Sequence, residues 1–251
     1  MKPIRKNILI TGASSGLGAG MAREFAAKGR DLALCARRTE RLEALRQELL
    51  AAHPGIRVLV KPLDVNDYDS VFTVFREFAG QMGGLDRVIV NAGIGKGQPI
   101  GTGYFHANRQ TAETNFVAAL AQCEAAVEIF RAQQHGHLVV ISSMSAMRGM
   151  PRNLTTYAAS KAAVATLAEG IRADLLRTRI KVTTLYPGFI RSEINEKVKN
   201  TPFIVDTATG CRALVAAIEQ EVPEASVPAW PWKAMGFAMR NLPLRWVARM
   251  T

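Results

Sequence analysis

The chain lacks most of what a metalloenzyme or a disulfide-framed secreted domain needs. Its 251 residues hold three cysteines, Cys35, Cys123 and Cys211, widely spaced and with no CxxC pair. That pattern supports neither a disulfide framework nor a thiolate zinc site, and fits packed, reduced thiols. The four histidines form no HExxH; His135-Gly136-His137, beside an expected strand start, is a weak basis for a metal site. No apolar run approaches the roughly 18 residues that cross a bilayer. The basic N-terminus, Met1 to Arg5, leads into Ile8-Leu9-Ile10, too short for a signal-peptide core. A cytoplasmic location is the expectation. Repeats, low-complexity tracts and Pro/Ser-rich linkers are missing too, so residues 1–251 read as one domain.

Acids are scarce. Lys and Arg number 32 against 21 Asp and Glu, a net charge of +11, and no acid follows Glu224. A basic surface attracts anions in general. No nucleic-acid motif accompanies the charge and aromatics do not interleave with it, so it reads mainly as a solvated surface that also favours a polyanionic cofactor, with no nucleic acid expected as a partner.

What is present is a regular alternation. Hydrophobic content of 48% and charged content of 21% describe an ordinary globule. Apolar strands are expected at 8–10, 32–36, 58–60, 87–90, 137–141 and 181–185. Helices fall between them, including a long one over 107–133 and one carrying Tyr157 to about Leu176. Strands that are apolar throughout belong in a parallel sheet covered on both faces, so the expected class is α/β, doubly wound. Two stretches break the pattern. Residues 189–207 read as a substrate lid, and 229–251 as a basic, aromatic tail.

The first strand ends in Thr11-Gly12-Ala13-Ser14-Ser15-Gly16-Leu17-Gly18. A glycine turn between strand and helix cradles a dinucleotide pyrophosphate on the helix N-terminus. The spacing is GxxxGxG and departs from the ordinary GxGxxG fingerprint. The second strand ends at Ala36-Arg37-Arg38, where NAD-binding proteins place an acid on the ribose. Two cations there suit a 2′-phosphate, and Arg41 adds a third. Far downstream, Tyr157 and Lys161 stand one helical turn apart, a phenol beside an ammonium able to act as an acid/base couple.

With Asp64-Val65, Asn91-Ala92-Gly93, Asn115, Ile141-Ser142-Ser143 and Pro187-Gly188 added in order, the chain resembles the short-chain dehydrogenase/reductases from about Asn7 to Ser192. The resemblance implies a Rossmann fold and NADP(H)-dependent hydride transfer between the nicotinamide and a carbonyl or secondary alcohol. It implies Tyr157 as general acid/base, Lys161 as ribose ligand and electrostatic aid to Tyr157, Ser143 as carbonyl and oxyanion donor, and Asn115 as the holder of a relay water. Gly12, Ser14, Ser15, Gly16, Leu17 and Gly18 would hold phosphates. Arg37 and Arg38 would take the 2′-phosphate, and Asp64 and Val65 the adenine. Asn91, Ala92 and Gly93 would line the ribose path, and Pro187, Gly188, Ile190 and Ser192 the nicotinamide. A homodimer or homotetramer is also implied.

Two departures stand out. Ser143 to Tyr157 is one residue longer than the family's usual spacing, which an insertion in 147–155 would absorb. Ser142 and Ser145 therefore stay open beside Ser143. The family's PGxxxT ends here in Ser192. Ile94, Gln98, Met150, Leu154, Phe189, Ile194, Val198 and Phe203 are expected over the nicotinamide, pointing to an apolar ketone, aldehyde or alcohol. The tail's Trp230, Trp232, Phe237 and Trp246 among Lys233, Arg240 and Arg245 fit a subunit interface, a pocket cap or a weak membrane-surface contact.

Overall fold

Strands without polar alternation must be shielded on both faces, and the architecture does this with helices. The computed structural model describes residues 4–95, 97–193 and 201–248. Strands β1 (Asn7–Thr11), β2 (Asp31–Ala36), β3 (Val58–Pro62), β4 (Arg87–Val90), β5 (Gly136–Ile141), β6 (Ile180–Pro187) and β7 (Glu224–Val227) form one sheet in the order β3-β2-β1-β4-β5-β6-β7. Every pairing is parallel. The order reverses direction between β1 and β4. In such sheets, ligands bind outside the carboxyl ends of the strands at that switch point.

Helices α1 (Gly16–Ala27), α2 (Thr39–Ala52) and α7 (Thr207–Glu219) cover one face, with Phe25, Leu42 and Leu214 fully buried against it. Helices α3 (Tyr68–Met82), α5 (Ala118–Gln133) and α6 (Thr155–Asp174) cover the other, around Phe75, Phe78 and Phe130. Each such aromatic removes on the order of 150–250 Å² of surface from water. All three cysteines are free and buried, and burial pushes each thiol up to about 12, so none offers a thiolate at neutral pH.

Three features differ from the expected pattern. The long helix over 107–133 is a composite: α4 (Phe105–Ala112), a π-helical turn (Glu113–Val117), then α5. A π turn adds one residue to the helical ladder and rotates the side chains that follow, and it is common at functional sites. Asn115 sits within it. Second, α7, β7, α8 (Ala229–Asn241) and the short α9 (Leu244–Val247) organise the C-terminal region. β7 is four residues long and only Val227 is buried, so it leaves no run of apolar residues to read. Third, the lid region is bracketed by a parallel bridge between Ile190 and Val205, and Asp206 caps α7 by accepting from the Thr209 amide at 2.8 Å. The lid residues Ile194 and Val198 lie outside the described residues.

Candidate active site

The glycine turn is shaped by contacts that exclude side chains. Gly12 and Gly16 have φ of 64° and 52°, the left-handed region. A Cβ on Gly18 would strike the Gly12 carbonyl oxygen, and one on Gly12 would lie 2.9 Å from the Ala92 Cα. Strand β4 therefore presses against the turn. Asn91 holds it there, donating from Nδ2 to the Thr11 carbonyl at 2.9 Å. The Thr11 hydroxyl accepts from the Asn91 and Ala92 amides at 3.0 and 3.1 Å. At the N-terminus of α1, no side chain caps the helix and its first turn has no acid. That leaves its amides and positive dipole end for an anion.

Arg38 lies across this turn. Its Nη2 donates to Ser15 Oγ at 2.6 Å and its Nε to Ser14 Oγ at 3.2 Å. Arg37 points the other way, with Nη1 4.0 Å from the Asp64 carboxylate. Val65 is buried in the core on the α3 face. Glu193, which the sequence reading did not single out, reaches in from the lid side. Its two oxygens accept from Arg38 at 3.0 Å and from Arg41 at 2.5 Å. Those two contacts, in that order, pull its carboxyl down to about 2.

The second cluster is at the carboxyl ends of β5 and β6. Ser143 follows β5, and its hydroxyl accepts from the Ser145 amide at 3.2 Å and faces the Tyr157 phenol. Ser142, by contrast, is buried and donates to the Lys161 carbonyl at 2.7 Å. Its hydroxyl is committed to joining β5 to α6. Ser145 Oγ lies 3.3 Å from Ser143 Oγ. The loop on to α6 contains a short 3-10 turn, Arg152–Leu154, with Arg152 at a φ of 58°.

Lys161 is buried, and its Nζ donates to the Ile141 carbonyl at 2.9 Å, not to the phenol. Asn115 is clasped to the end of β4. Its Oδ1 accepts from the Ile94 amide at 2.8 Å, and its Nδ2 donates to the Ile94 carbonyl at 2.9 Å and to Ser160 Oγ at 3.3 Å. Gly93 lies between the two, where a Cβ would stand 3.1 Å from Asn115 Oδ1 and 3.5 Å from Lys161 Nζ. Burial raises the Tyr157 phenol from its ordinary value, and the Ser143 hydrogen bond acts in the opposite direction. Burial lowers Lys161 to about 8.

Helix α8 packs against the carboxyl end of β6. Trp232 is 4% exposed and packs directly on Gly188, where no side chain could fit. It meets Phe189 edge-on at 5.6 Å and Phe203 at 6.4 Å between ring centroids. Met144 and Met147 complete this apolar corner. The tail is therefore anchored to the body of the fold through Trp232, while Trp230, Phe237 and Trp246 point outward. Ile190 is buried against Gly210, and Ser192 approaches Gly16.

A model of the short chain dehydrogenase family matches residues 6–202, most of the sequence. The chain belongs to the short-chain dehydrogenase family. An uncharacterized oxidoreductase of Mycobacterium tuberculosis is 54% identical over 245 residues, covering 98% of this chain and 97% of that one. A short-chain dehydrogenase from Sphingobium yanoikuyae, solved in complex with NADPH, superimposes with a TM-score of 0.81 at 26% identity, covering 95% and 96% of the two chains. An NADPH-dependent 3-quinuclidinone reductase from Rhodotorula rubra superimposes with a TM-score of 0.77 at 27% identity, covering 85% and 82%. The chain is thus an oxidoreductase of a family that uses a nicotinamide cofactor. Among the described residues, no helix is long and apolar enough to cross a membrane.

For this short-chain dehydrogenase, the buried lysine carries a stability cost. Its folded pKa of about 8 lies below the ordinary 10.5. Between those values the unfolded chain binds more protons than the folded one, so stability rises with pH across the window; below it the full cost of burying a charge is present. Lys161→Met removes that charge and forfeits one hydrogen bond to Ile141. The expected result is a cofactor-free protein more stable at neutral pH by about 2 kcal/mol, read from the urea midpoint. The rise in stability above about pH 8 should also flatten. A lower midpoint in the variant would show that burial costs this lysine little.

Proposed function

We propose that this protein is an NADP(H)-dependent oxidoreductase interconverting an apolar ketone or aldehyde with its alcohol. The observation that carries the reading is the placement of Ser143 against the Tyr157 phenol beside buried Lys161, at the carboxyl end of a sheet whose switch point holds an uncapped glycine turn. The residues present fit the cofactor. A Cβ at Gly12 or Gly18 would clash with the turn's own backbone or with Ala92, so only glycines let the turn that would form the cradle pack as it does, and Gly93 leaves room beside Lys161. Gly16, Leu17 and Gly18 would present helix N-terminal amides to the pyrophosphate, with Ser14 and Ser15 adding hydroxyls. Arg37 and Arg38 would hold a 2′-phosphate, and Asp64, Val65, Asn91 and Ala92 would line the adenosine. Pro187, Gly188, Ile190 and Ser192 would bound the nicotinamide, which supplies or accepts the hydride.

Tyr157 gives its proton to the carbonyl oxygen in reduction and recovers one in oxidation. Ser143 donates to the same oxygen as charge develops on it. Burial alone sets the phenol too high for this work at neutral pH, so a cation must offset it. Lys161 is the candidate, one turn along α6, and it would also hold the ribose hydroxyls. Asn115, clasped between Ile94 and Ser160, fixes the backbone behind Lys161 where a relay water would be held. The apolar corner of Phe189, Phe203, Met147 and Trp232 selects the substrate class. The NADPH complex of the Sphingobium relative and the NADPH dependence of the Rhodotorula one support the cofactor assignment.

The cofactor assignment is tested by affinity. NADPH is expected to bind at least about tenfold tighter than NADH, roughly 1.4 kcal/mol. In the Arg37→Ala/Arg38→Ala double variant, that gap should largely close through weaker NADPH binding. Calorimetric titration decides it, and equal dissociation constants in the unaltered protein would contradict the assignment. Activity is tested by following NADPH loss against a panel of apolar ketones and aldehydes.

A further inference from the structure

Glu193 stands where the cofactor reading needs an anion. Arg38 and Arg41 come from the N-terminal turn of α2, and Ser14 and Ser15 from the glycine turn. Among these donors, Arg38 and Arg41 converge on the Glu193 carboxylate. Arg38 joins the two sets, donating to Ser15 and Ser14 as well. The approach is possible because Gly16 has no side chain: a Cβ there would lie 3.4 Å from the Ser192 Cβ, which brings residues 192 and 193 onto the turn. An arrangement of two guanidinium groups and two hydroxyls is what a phosphate monoester takes, with its three acceptor oxygens.

We propose that Glu193 is a determinant of cofactor affinity and selectivity, an internal carboxylate that occupies the 2′-phosphate site in the free protein and competes with the incoming phosphate for Arg38 and Arg41. The inference rests on the assignment of Arg37 and Arg38 to the 2′-phosphate. When a phosphate arrives, Glu193 either leaves, breaking both ion pairs, or stays as a like charge beside it. Both outcomes oppose binding. A cofactor without the phosphate makes no such demand and leaves the pairs in place. The groups are half in solvent, with side-chain exposures of 39% for Arg38, 49% for Arg41 and 48% for Glu193, so the opposition is modest and salt-sensitive.

Glu193→Gln keeps the size and most of the hydrogen bonding while removing the charge. Its Kd for NADPH and for 2′,5′-ADP is expected to fall by roughly three- to tenfold at low ionic strength, shrinking as KCl is added, while Kd for NADH and 5′-ADP stays within about twofold. Calorimetry on the full chain measures all four, with thermal unfolding as a check that the variant is folded. Unchanged or weaker NADPH binding would overturn the inference, since Glu193 would then be inert or would be positioning the arginines. Equal tightening of NADPH and NADH would overturn it too, because the effect would not involve the 2′-phosphate. The cofactor assignment can fail separately: the unaltered protein would then bind NADPH and NADH alike. A preference for NADPH appearing only in Glu193→Gln would in that case still uphold the competition.

Discussion

Tyr157→Phe is expected to lower kcat by about 10²–10⁴-fold, the range of a lost general acid, while NADPH affinity stays within about twofold. The substitution removes one oxygen. The ring keeps its half-buried place on α6, and Ser143 retains the Ser145 amide as a partner. What is lost is the phenol that faces that serine, and with it the proton that the carbonyl oxygen must receive. Stopped-flow reduction of an apolar ketone, paired with calorimetric titration of NADPH, separates chemistry from binding. A variant retaining even about a tenth of the rate would remove Tyr157 from the role of acid.

Ser143→Ala is the second large effect, about 10²-fold or more in kcat with KM little changed, the cost of one missing oxyanion donor. The neighbouring serines serve as internal controls. Ser142→Ala loses the buried hydroxyl that donates to the Lys161 carbonyl. It should therefore cost stability, on the order of 1–2 kcal/mol, more than it costs rate. Ser145→Ala should be milder still in kcat, because the Ser145 contact that positions Ser143 includes a backbone amide that survives the change. Steady-state kinetics on the three variants, with urea midpoints, test the ranking. A larger rate loss at Ser145 would transfer the role to it.

Most of the strands were legible because each carries a short apolar run, several closed by glycine, asparagine or a cation, as at Val90-Asn91 and Ala36-Arg37. The glycine turn and the Tyr157/Lys161 pair were legible because one strand end and one helical turn fix their neighbours locally. Less local features were not. The π turn around Asn115 depends on packing against Ile94 and Ser160, and helical periodicity through residues 107–133 carries no mark of it. β7 exposes most of its side chains and pairs only with β6, so it has no apolar signature. Trp232 read as one of several tail aromatics; that it alone turns inward onto Gly188 is decided by a partner over forty residues away in the chain. Nothing local in the sequence marks Glu193, because its partners are more than 150 residues away. The choice between Ser142 and Ser143 was open in sequence. The geometry distinguishes their contacts, since one hydroxyl faces the Lys161 carbonyl and the other the Tyr157 phenol.

The central claim is that a hydride passes between the cofactor nicotinamide and a substrate carbonyl carbon while Tyr157 handles the proton. Its most direct test is isotope transfer: NADPH deuterated at the nicotinamide C4, on each face in turn, is incubated with the protein and an apolar ketone, and the alcohol is examined by mass spectrometry. One labelled face should deliver a single deuterium to the carbinol carbon and the other none, with no labelled alcohol formed by Tyr157→Phe on the same timescale. Alcohol formed without deuterium from either face, or label transferred as readily by Tyr157→Phe, would contradict the account.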